Sequence, residues 1–398
     1  MSAIANTIRT IAAEQQPDWP DPDEARRVSA KLSALPGLVT ARQVHALSSR
    51  LAQVAAGRAL VLQAGDCAED FAECHAGPVA RKAELVRRLA EVMADRSGLP
   101  IVRVGRIAGQ FAKPRSESFE TVAGTKIPSY RGHLVNAPAP VAAARVPDPE
   151  RMLIGYQAAR RVLRCLGWID EPGCRDNGLS GAVLWSSHEA LLLDYELPML
   201  RDSRHGTVLT STHWPWIGER TRRPDGAHVA LLARAANPVA CKIGPRCTPS
   251  DLLELCSLLD PGRVPGRLTL ISRMGADTVA GVLPELVARV REAGHPAIWL
   301  CDPMHGNTFK LPSGHKTRRV EAVVAETTAF RDAVRSAGGV AGGLHLEVTP
   351  DDVTECIDDA TDASALETRY GSLCDPRLNP AQAETVVRAW RPYYRLAA

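Results

Sequence analysis

Four side chains far apart in the 398-residue chain offer sulfur, nitrogen and oxygen donors: Cys67 in GDCAED, His305 in CDPMHGN, Glu347 in HLEVT and Asp375 in LCDPRLNP. A thiol, an imidazole and two carboxylates suit a divalent metal ion. A second set is built around cations. Arg115, Arg220 (next to Glu219 in WIGERTR), Lys242 in CKIGP and Arg273 in SRMG, with Lys113 and Lys316 nearby, would make a ring suited to phosphates and carboxylates. Taken singly, each has an ordinary reading. A cysteine closing an apolar run is usually just buried. A histidine can fix its own loop, a carboxylate can cap a helix, and an arginine can sit in solvent. The arginines count for least, because only seven of the 48 basic side chains are lysines, a bias that genome composition alone produces. Lys242 counts for more: an ammonium closing an apolar run must reach into a site or pair with an anion.

The elements that would position these groups recur along the chain. Apolar runs at Ala59–Gln63, Ile101–Val104, Ala182–Trp185, Thr207–Thr210, Val239–Ile243, Leu268–Ile271, Ala297–Cys301 and Gly343–Glu347 alternate with helix-period segments such as 78–96, 249–259 and 277–294. Short, nearly continuous apolar strands separated by amphipathic helices indicate a parallel sheet covered by helices. Eight of them predict a (β/α)8 TIM barrel; a doubly wound open sheet is disfavoured because no glycine-rich dinucleotide fingerprint follows the first run. Residues 1–58 form an N-terminal helical extension, with Asp21 capping a helix that starts at Pro22, and residues 59–398 form the catalytic barrel. The extension is expected on the barrel base or on a second subunit. The long connection from Ala112 to Pro149 reads as a lid or hairpin. In a barrel the chemistry sits at the C-terminal ends of the strands, and every run leads into a polar or ionisable cluster.

The totals narrow the field. A formal charge of +3, 5% aromatics and no basic tract argue against nucleic-acid binding. No apolar run is as long as a membrane span, and MSAIANTIRTIAAEQQ lacks a secretory apolar segment, so no membrane partner and a cytoplasmic location are expected. Ten scattered cysteines, several inside apolar runs, read as thiols in a reducing compartment.

The motifs LQAGDCAE, IAGQFAKPRS, SYRG, SSHEALLLDYE, WIGERTR, NPVACKIGP, GRLTLISRMG, CDPMHGNT, KTR, GGLHLEVT, VTEC and CDPRLNP, in this order, resemble the type II 3-deoxy-D-arabino-heptulosonate 7-phosphate (DAHP) synthases from about Trp19 to Asn379. The resemblance implies a metal-dependent barrel enzyme that condenses phosphoenolpyruvate with erythrose 4-phosphate, the first step of the shikimate pathway. It implies metal ligation by Cys67, His305, Glu347 and Asp375, with Mn2+ or Co2+ expected and Zn2+ or Fe2+ compatible. Arg115, Glu219, Arg220, Lys242 and Arg273 fall on phosphoenolpyruvate-binding positions; Lys113, Lys316, Ser129 and Arg131 fall near them or near the sugar phosphate. Lys242, Cys67 and His305 are then the catalytic candidates. A homo-oligomer (dimer or tetramer) and a chorismate mutase partner also follow from the resemblance. The rival readings are an amino-DAHP synthase acting on an imino or amino sugar phosphate and a non-catalytic scaffold.

Two departures from the family pattern stand out. Ala64 occupies a position where the family usually has glycine. The connection GCRDNGLSG (173–181) leaves no room for the helical pair with which long members bind aromatic amino acids. The expectation is an enzyme insensitive to Phe, Tyr and Trp that feeds secondary metabolism. Cys374 lies beside Asp375 and should approach Cys67 if the metal site forms, so the two thiols are expected to oxidise to a disulfide when no metal is bound.

Overall fold

A computed structural model describes residues 3–122, 124–169, 184–204, 206–358, 366 and 368–391. Eight parallel strands close into a barrel: β1 (Leu60–Gly65), β2 (Ile101–Arg106), β3 (Trp185–Glu189), β4 (Trp214–Ile217), β5 (Val239–Ile243), β6 (Leu268–Ser272), β7 (Ile298–Cys301) and β8 (Val340–Glu347). Each pairs with its sequence neighbour, and β8 returns to β1 with Gly65 opposite Glu347. The fold is the expected (β/α)8 barrel.

Three helices precede the barrel, α1 (Ala3–Arg9), α2 (Pro22–Ala34) and α3 (Ala41–Ala55). Among the described residues, seven helices of eight or more residues cover its outside: α4 (Ala76–Ser97), α5 (Arg151–Cys165), α6 (Ala227–Arg234), α7 (Pro249–Leu259), α8 (Val279–Glu292), α9 (Val320–Ser336) and α10 (Pro380–Arg388). Their ends follow local chemistry. Asp21 accepts from the amides of Asp23 and Glu24 to start α2, with Pro22 inside the first turn. Thr248 caps α7 through the Asp251 amide, and Gly98 ends α4 with a left-handed backbone.

Two expected strands differ. Thr207–Thr210 does not enter the barrel: Gly206–Leu209 pairs antiparallel with Leu200–Ser203 in an outlying hairpin. The fourth strand is Trp214–Ile217, whose Pro215 lacks the amide that a central strand normally contributes. The third strand begins at the end of its predicted run, spanning Trp185–Glu189, and Ala182 lies outside the described residues. The long connection after β2 carries the antiparallel hairpin Phe119–Val122/Thr125–Pro128.

The barrel interior has an apolar lower half. Leu47, Leu51 and Val54 of α3 pack with Val61, Val104, Trp185, Trp214, Ala240 and Ile298, so α3 closes the base. Contact at the base is close enough that a Cβ on Gly266 (φ +85°) would meet the Ala52 amide nitrogen at 2.5 Å. Gly343 in β8 is equally constrained: its φ is +140°, and a Cβ there would overlap the Val61 carbonyl oxygen. Gly343→Ala is therefore expected to destabilise the fold by about 3 kcal/mol through strain plus overpacking. The shift of the urea unfolding midpoint measures it, and a wild-type midpoint would refute the steric argument.

Candidate active site at the barrel mouth

Strand ends bring three of the four candidate ligands together. Glu347 is the last residue of β8, Cys67 follows β1, and Asp375 comes in from the segment before α10; one donor atom from each lies within 4.8 Å of the others. The Asp375 amide donates to Cys67 Sγ at 3.2 Å. His305, in the turn after β7, joins through Glu347, with Nε2 at 3.3 Å from Oε1. The other ring nitrogen, Nδ1, lies 2.8 Å from Asp302 Oδ2. An ionised Asp302 can only accept, so Nδ1 donates to it and Nε2 is the ring nitrogen turned toward Glu347. Nε2 and the Glu347 oxygen are then both placed to ligate a cation between them. The donor chemistry fits a divalent ion held by Cys67, His305, Glu347 and Asp375.

The cluster is surrounded by cations. Lys113 Nζ lies 3.1 Å from Asp375 Oδ2 and 3.6 Å from Glu347 Oε1, and Lys316 lies 2.7 Å from Asp375 Oδ1. Burial opposes ionisation of Glu347, but His305, Lys113, Arg318 and Arg106 hold its carboxyl well below the usual carboxylate range. Asp375 is held low in the same way, by Lys113, Lys316 and His305 against burial and the charge of Glu347. Burial pushes the Cys67 thiol well up, and Cys374 shares a hydrogen bond with it; both are free cysteines.

Lys242 lies behind this cluster. Its Nζ pairs with Asp302 Oδ2 at 2.7 Å and lies 3.5 Å from His305 Nδ1. Burial lowers its pKa, with Arg106 adding to the effect and Asp302 opposing it. Arg273 Nη2 reaches the His305 carbonyl at 3.5 Å. A Cβ on Gly244 would meet Glu219 Oε1 at 2.9 Å and Arg273 Nη1 at 3.2 Å, so these two side chains converge beside β5. Glu219 also pairs with Arg222 at 3.1 Å.

The remaining candidates lie on the rim. Arg220 donates to Ser116 Oγ at 2.6 Å, joining the loops after β4 and β2. Arg115 pairs with Glu120 of the hairpin at 2.8 Å, and Arg131 donates to the Gln15 carbonyl at 2.6 Å. Ser129 is turned inward: its hydroxyl donates to the Glu117 carbonyl at 2.8 Å and holds the loop. A cavity of about 320 Å³ opens beside Cys374, lined by Ala68, Asp70, Pro138, Ser372 and Arg377 among others.

Comparison with known proteins decides the family. The model of the class-II DAHP synthetase family matches residues 3–177 and 168–388. The chain belongs to that family. It is 52% identical over 392 residues to a Pseudomonas fluorescens protein named "probable phospho-2-dehydro-3-deoxyheptonate aldolase", with 98% of each chain covered. It is 41% identical to the phospho-2-dehydro-3-deoxyheptonate aldolase of Streptomyces coelicolor, covering 96% of this chain and 95% of that one. The Mycolicibacterium smegmatis aldolase of the same name is 39% identical, covering 93% and 90%. The solved structure of the Francisella tularensis aldolase shares the fold, with a TM-score of 0.54, 13% identity, and coverage of 92% and 97%.

Ala64 carries no left-handed backbone strain. It is fully buried in β1 beside Gly105 and Leu346 without a left-handed backbone, and the positive φ, +152°, falls on Gly65. The connection 173–181 lies outside the described residues.

Several site residues escaped the sequence reading. Arg106, closing β2, donates to Glu347 Oε1 at 2.9 Å and contacts His345 Nε2 at 2.6 Å. Arg318, one residue beyond KT in KTR, pairs with Glu347 Oε2 at 2.8 Å. Asp302, within CDPMHGN, also belongs to the site through Lys242 and His305. The test that singled out Lys242, a cation closing an apolar run, would have found Arg106 too.

Glu326, in the middle of α9, gave no signal at all. Its Oε1 accepts from the amides of Met274 (3.0 Å) and Gly275 (2.9 Å), and Oε2 accepts from Asn307 Nδ2 at 2.7 Å. One buried carboxylate thus ties the Arg273 loop to the His305 turn. Glu326→Gln keeps the volume but places an NH2 group against that of Asn307. The expected outcome is about a tenfold fall in kcat/KM, one lost buried hydrogen bond, in steady-state kinetics. Unchanged kinetics would mean that the loops hold their places without it.

Proposed function

We propose that the protein condenses phosphoenolpyruvate with D-erythrose 4-phosphate to give DAHP and phosphate, with a divalent metal ion held by Cys67, His305, Glu347 and Asp375. The observation that carries this reading is the meeting of S, N and O donors with Lys113, Lys316, Arg106 and Lys242 at one barrel mouth. Family membership supplies the reaction, and the relatives named above carry the matching aldolase name. When bound, the ion supplies Lewis acidity toward a carbonyl oxygen.

The chain's own groups account for the rest. Lys242, Arg273 and Arg220 offset the charges of phosphoenolpyruvate and fix which face of its enol is presented, with Glu219 orienting Arg273 beside Gly244. C3 of phosphoenolpyruvate attacks the aldehyde carbon, and water adds at C2, where positive charge develops. Loss of phosphate leaves the ketone, so one water is consumed and one phosphate released. Lys242 serves mainly in binding. Its contacts with Asp302 and His305 also let it hold or pass a proton beside the reacting carbons.

Protein stripped with a chelator is expected to consume phosphoenolpyruvate only when both erythrose 4-phosphate and Mn2+ are added back. Asp375→Asn should lower metal affinity by at least about tenfold to a hundredfold, the loss that changing even an outer partner of a metal ligand causes. Full turnover in chelator without added metal would refute the metal assignment.

We also propose that aromatic amino acids do not regulate this enzyme and that it serves secondary metabolism. The two stretches of the family match meet at 168–177, next to the short connection. The alignment with the S. coelicolor relative spans 427 positions, more than the 398 residues of this chain, so that relative carries residues without a counterpart here. Phe, Tyr and Trp at millimolar concentration should leave the rate unchanged. Inhibition by any one of them sinks this part of the reading.

A further inference from the structure

Among the described residues, only Gln15, Ala108 and Arg263 combine a side chain with a positive φ, and Gln15 stands at +62°. L residues adopt this conformation at a cost, and where they do so the surroundings hold them there. Here the surroundings are the mouth of the barrel. The side-chain oxygen of Gln15 accepts from the Arg115 amide at 2.9 Å, and its carbonyl accepts from Arg131 Nη2 at 2.6 Å. Arg115 and Arg131 lie on the long loop after β2. A single strained residue outside the barrel therefore holds both, one by its backbone and the other by its guanidinium.

The neighbouring residues keep Gln15 in place. Gln16 donates to the Leu191 carbonyl at 2.9 Å and accepts from the Leu193 amide at 2.9 Å, on the loop after β3. The Ala12 carbonyl accepts from the Ala227 amide at 3.0 Å, and Glu14 pairs with Arg223 at 3.3 Å, both after β4. The segment between α1 and α2 thus crosses the rim opposite the α3 plug. The extension is expected on the barrel base or on a second subunit; α3 takes the base, and this part of the extension lies at the chemical end.

We propose that Gln15 is a positioning residue for substrate binding: it fixes the loop after β2 so that Arg115 and Arg131 present their guanidiniums to a phosphorylated substrate. This rests on the reading that these two arginines bind substrate anions. A carbonyl and an amide oxygen add no counter-charge of their own to either guanidinium, whereas a carboxylate at the same place would compete with the substrate for them. Arg115 already pairs with Glu120 at 2.8 Å, so the amide restrains the loop without adding a second counter-charge.

The test compares Gln15→Ala, Gln15→Glu, Arg115→Ala and Arg131→Ala in the full-length, metal-loaded protein. Gln15→Glu restores the acceptor facing the Arg115 amide. The expected result is that the arginine variants raise KM for one substrate. Gln15→Ala should then raise KM for that same substrate about fivefold to tenfold, the effect of one lost hydrogen bond. Its kcat should stay within about twofold and its unfolding midpoint should not move, as expected for a contact that orients rather than reacts. Gln15→Glu should restore the protection of the loop but recover the KM only in part, because its charge lies beside the two guanidiniums. Amide hydrogen exchange over residues 111–118 should quicken in Gln15→Ala, a readout independent of turnover. Raised KM in the arginine variants with unchanged KM in Gln15→Ala overturns the inference while leaving the substrate reading intact. Joint loss of kcat and thermal stability in Gln15→Ala overturns it in favour of a purely structural tie. Unchanged KM in both arginine variants removes the substrate reading, and the inference with it.

Discussion

The site is organised by the neutralisation of one fully buried carboxylate. Glu347 is inaccessible to solvent, and an unpaired charge there would be prohibitive. Arg106 takes one oxygen at 2.9 Å and Arg318 the other at 2.8 Å. Each arginine then uses its remaining donors on the segments that carry the other candidate ligands. Arg106 donates to the carbonyls of Asp66 and Cys67. Arg318 donates to the Pro376 carbonyl and to Thr308 Oγ1 at 2.8 Å. The charge pairs of Glu347 thus place Cys67, Asp375 and the strand that follows His305. Truncating either arginine would leave a buried anion half-compensated, a loss on the order of 3–5 kcal/mol.

Below Glu347 a polar chain runs into the barrel. Arg106 Nη1 meets His345 Nε2, His345 Nδ1 meets Gln63 Oε1 at 2.7 Å, Gln63 donates to Ser187 Oγ at 3.0 Å, and Ser187 donates to the Gly105 carbonyl. Since Arg106 can only donate, His345 must accept at Nε2 and donate from Nδ1. Burial, with Lys242 and Arg106 beside it, holds this ring neutral. The barrel is therefore divided along its axis. Its lower half is filled by tryptophans and aliphatics over α3, while its upper half is filled by hydrogen-bonded polar groups that fix the rotamers of the mouth.

The same division explains what could be read from the sequence. Strand ends were legible because an apolar run breaking into Asp, Lys, His or Glu is a local contrast. That contrast named Cys67, His305, Glu347 and Lys242, and the structure brings them close together. Inward-facing polar groups within strands were not legible. In a parallel sheet buried on both faces, Gln63, His345 and Ser187 interrupt no visible alternation. Counting eight runs led to the right fold although Thr207–Thr210 was the wrong fourth. The true strand, with Pro215 among its four residues, violates the local rule for a central strand and is held by tertiary pairing on both sides. Contacts such as Gln15 to Arg115, a hundred residues apart, leave no local trace.

Four buried carboxylates are held in two different ways, and the contrast bears on what the mouth can bind. Glu347 and Asp302 face the mouth, are paired with cations, and stay ionised well below the usual range. Glu69 and Glu326 lie behind the loops. Glu69 accepts from the amides of Ala108, Gly109 and Gln110, and Glu326 from those of Met274 and Gly275. Burial raises the pKa of both, Glu326 to about 7, because Lys82 and backbone donors at Glu69, and amide donors at Glu326, offset the lost hydration only in part. Lys82, paired with Asp66 at 2.6 Å, also lowers the Glu69 pKa and is a cation committed behind that loop, whereas the hydrogen-bond donors on Glu326 are amides. Lys113, Lys316 and Lys242 are paired only with mouth-facing carboxylates. An incoming phosphate or metal ion can exchange into those pairs without breaking the loops that present them. Rigid loops and exchangeable charge are thereby assigned to different residues, so the geometry can persist while the charges regroup around a substrate.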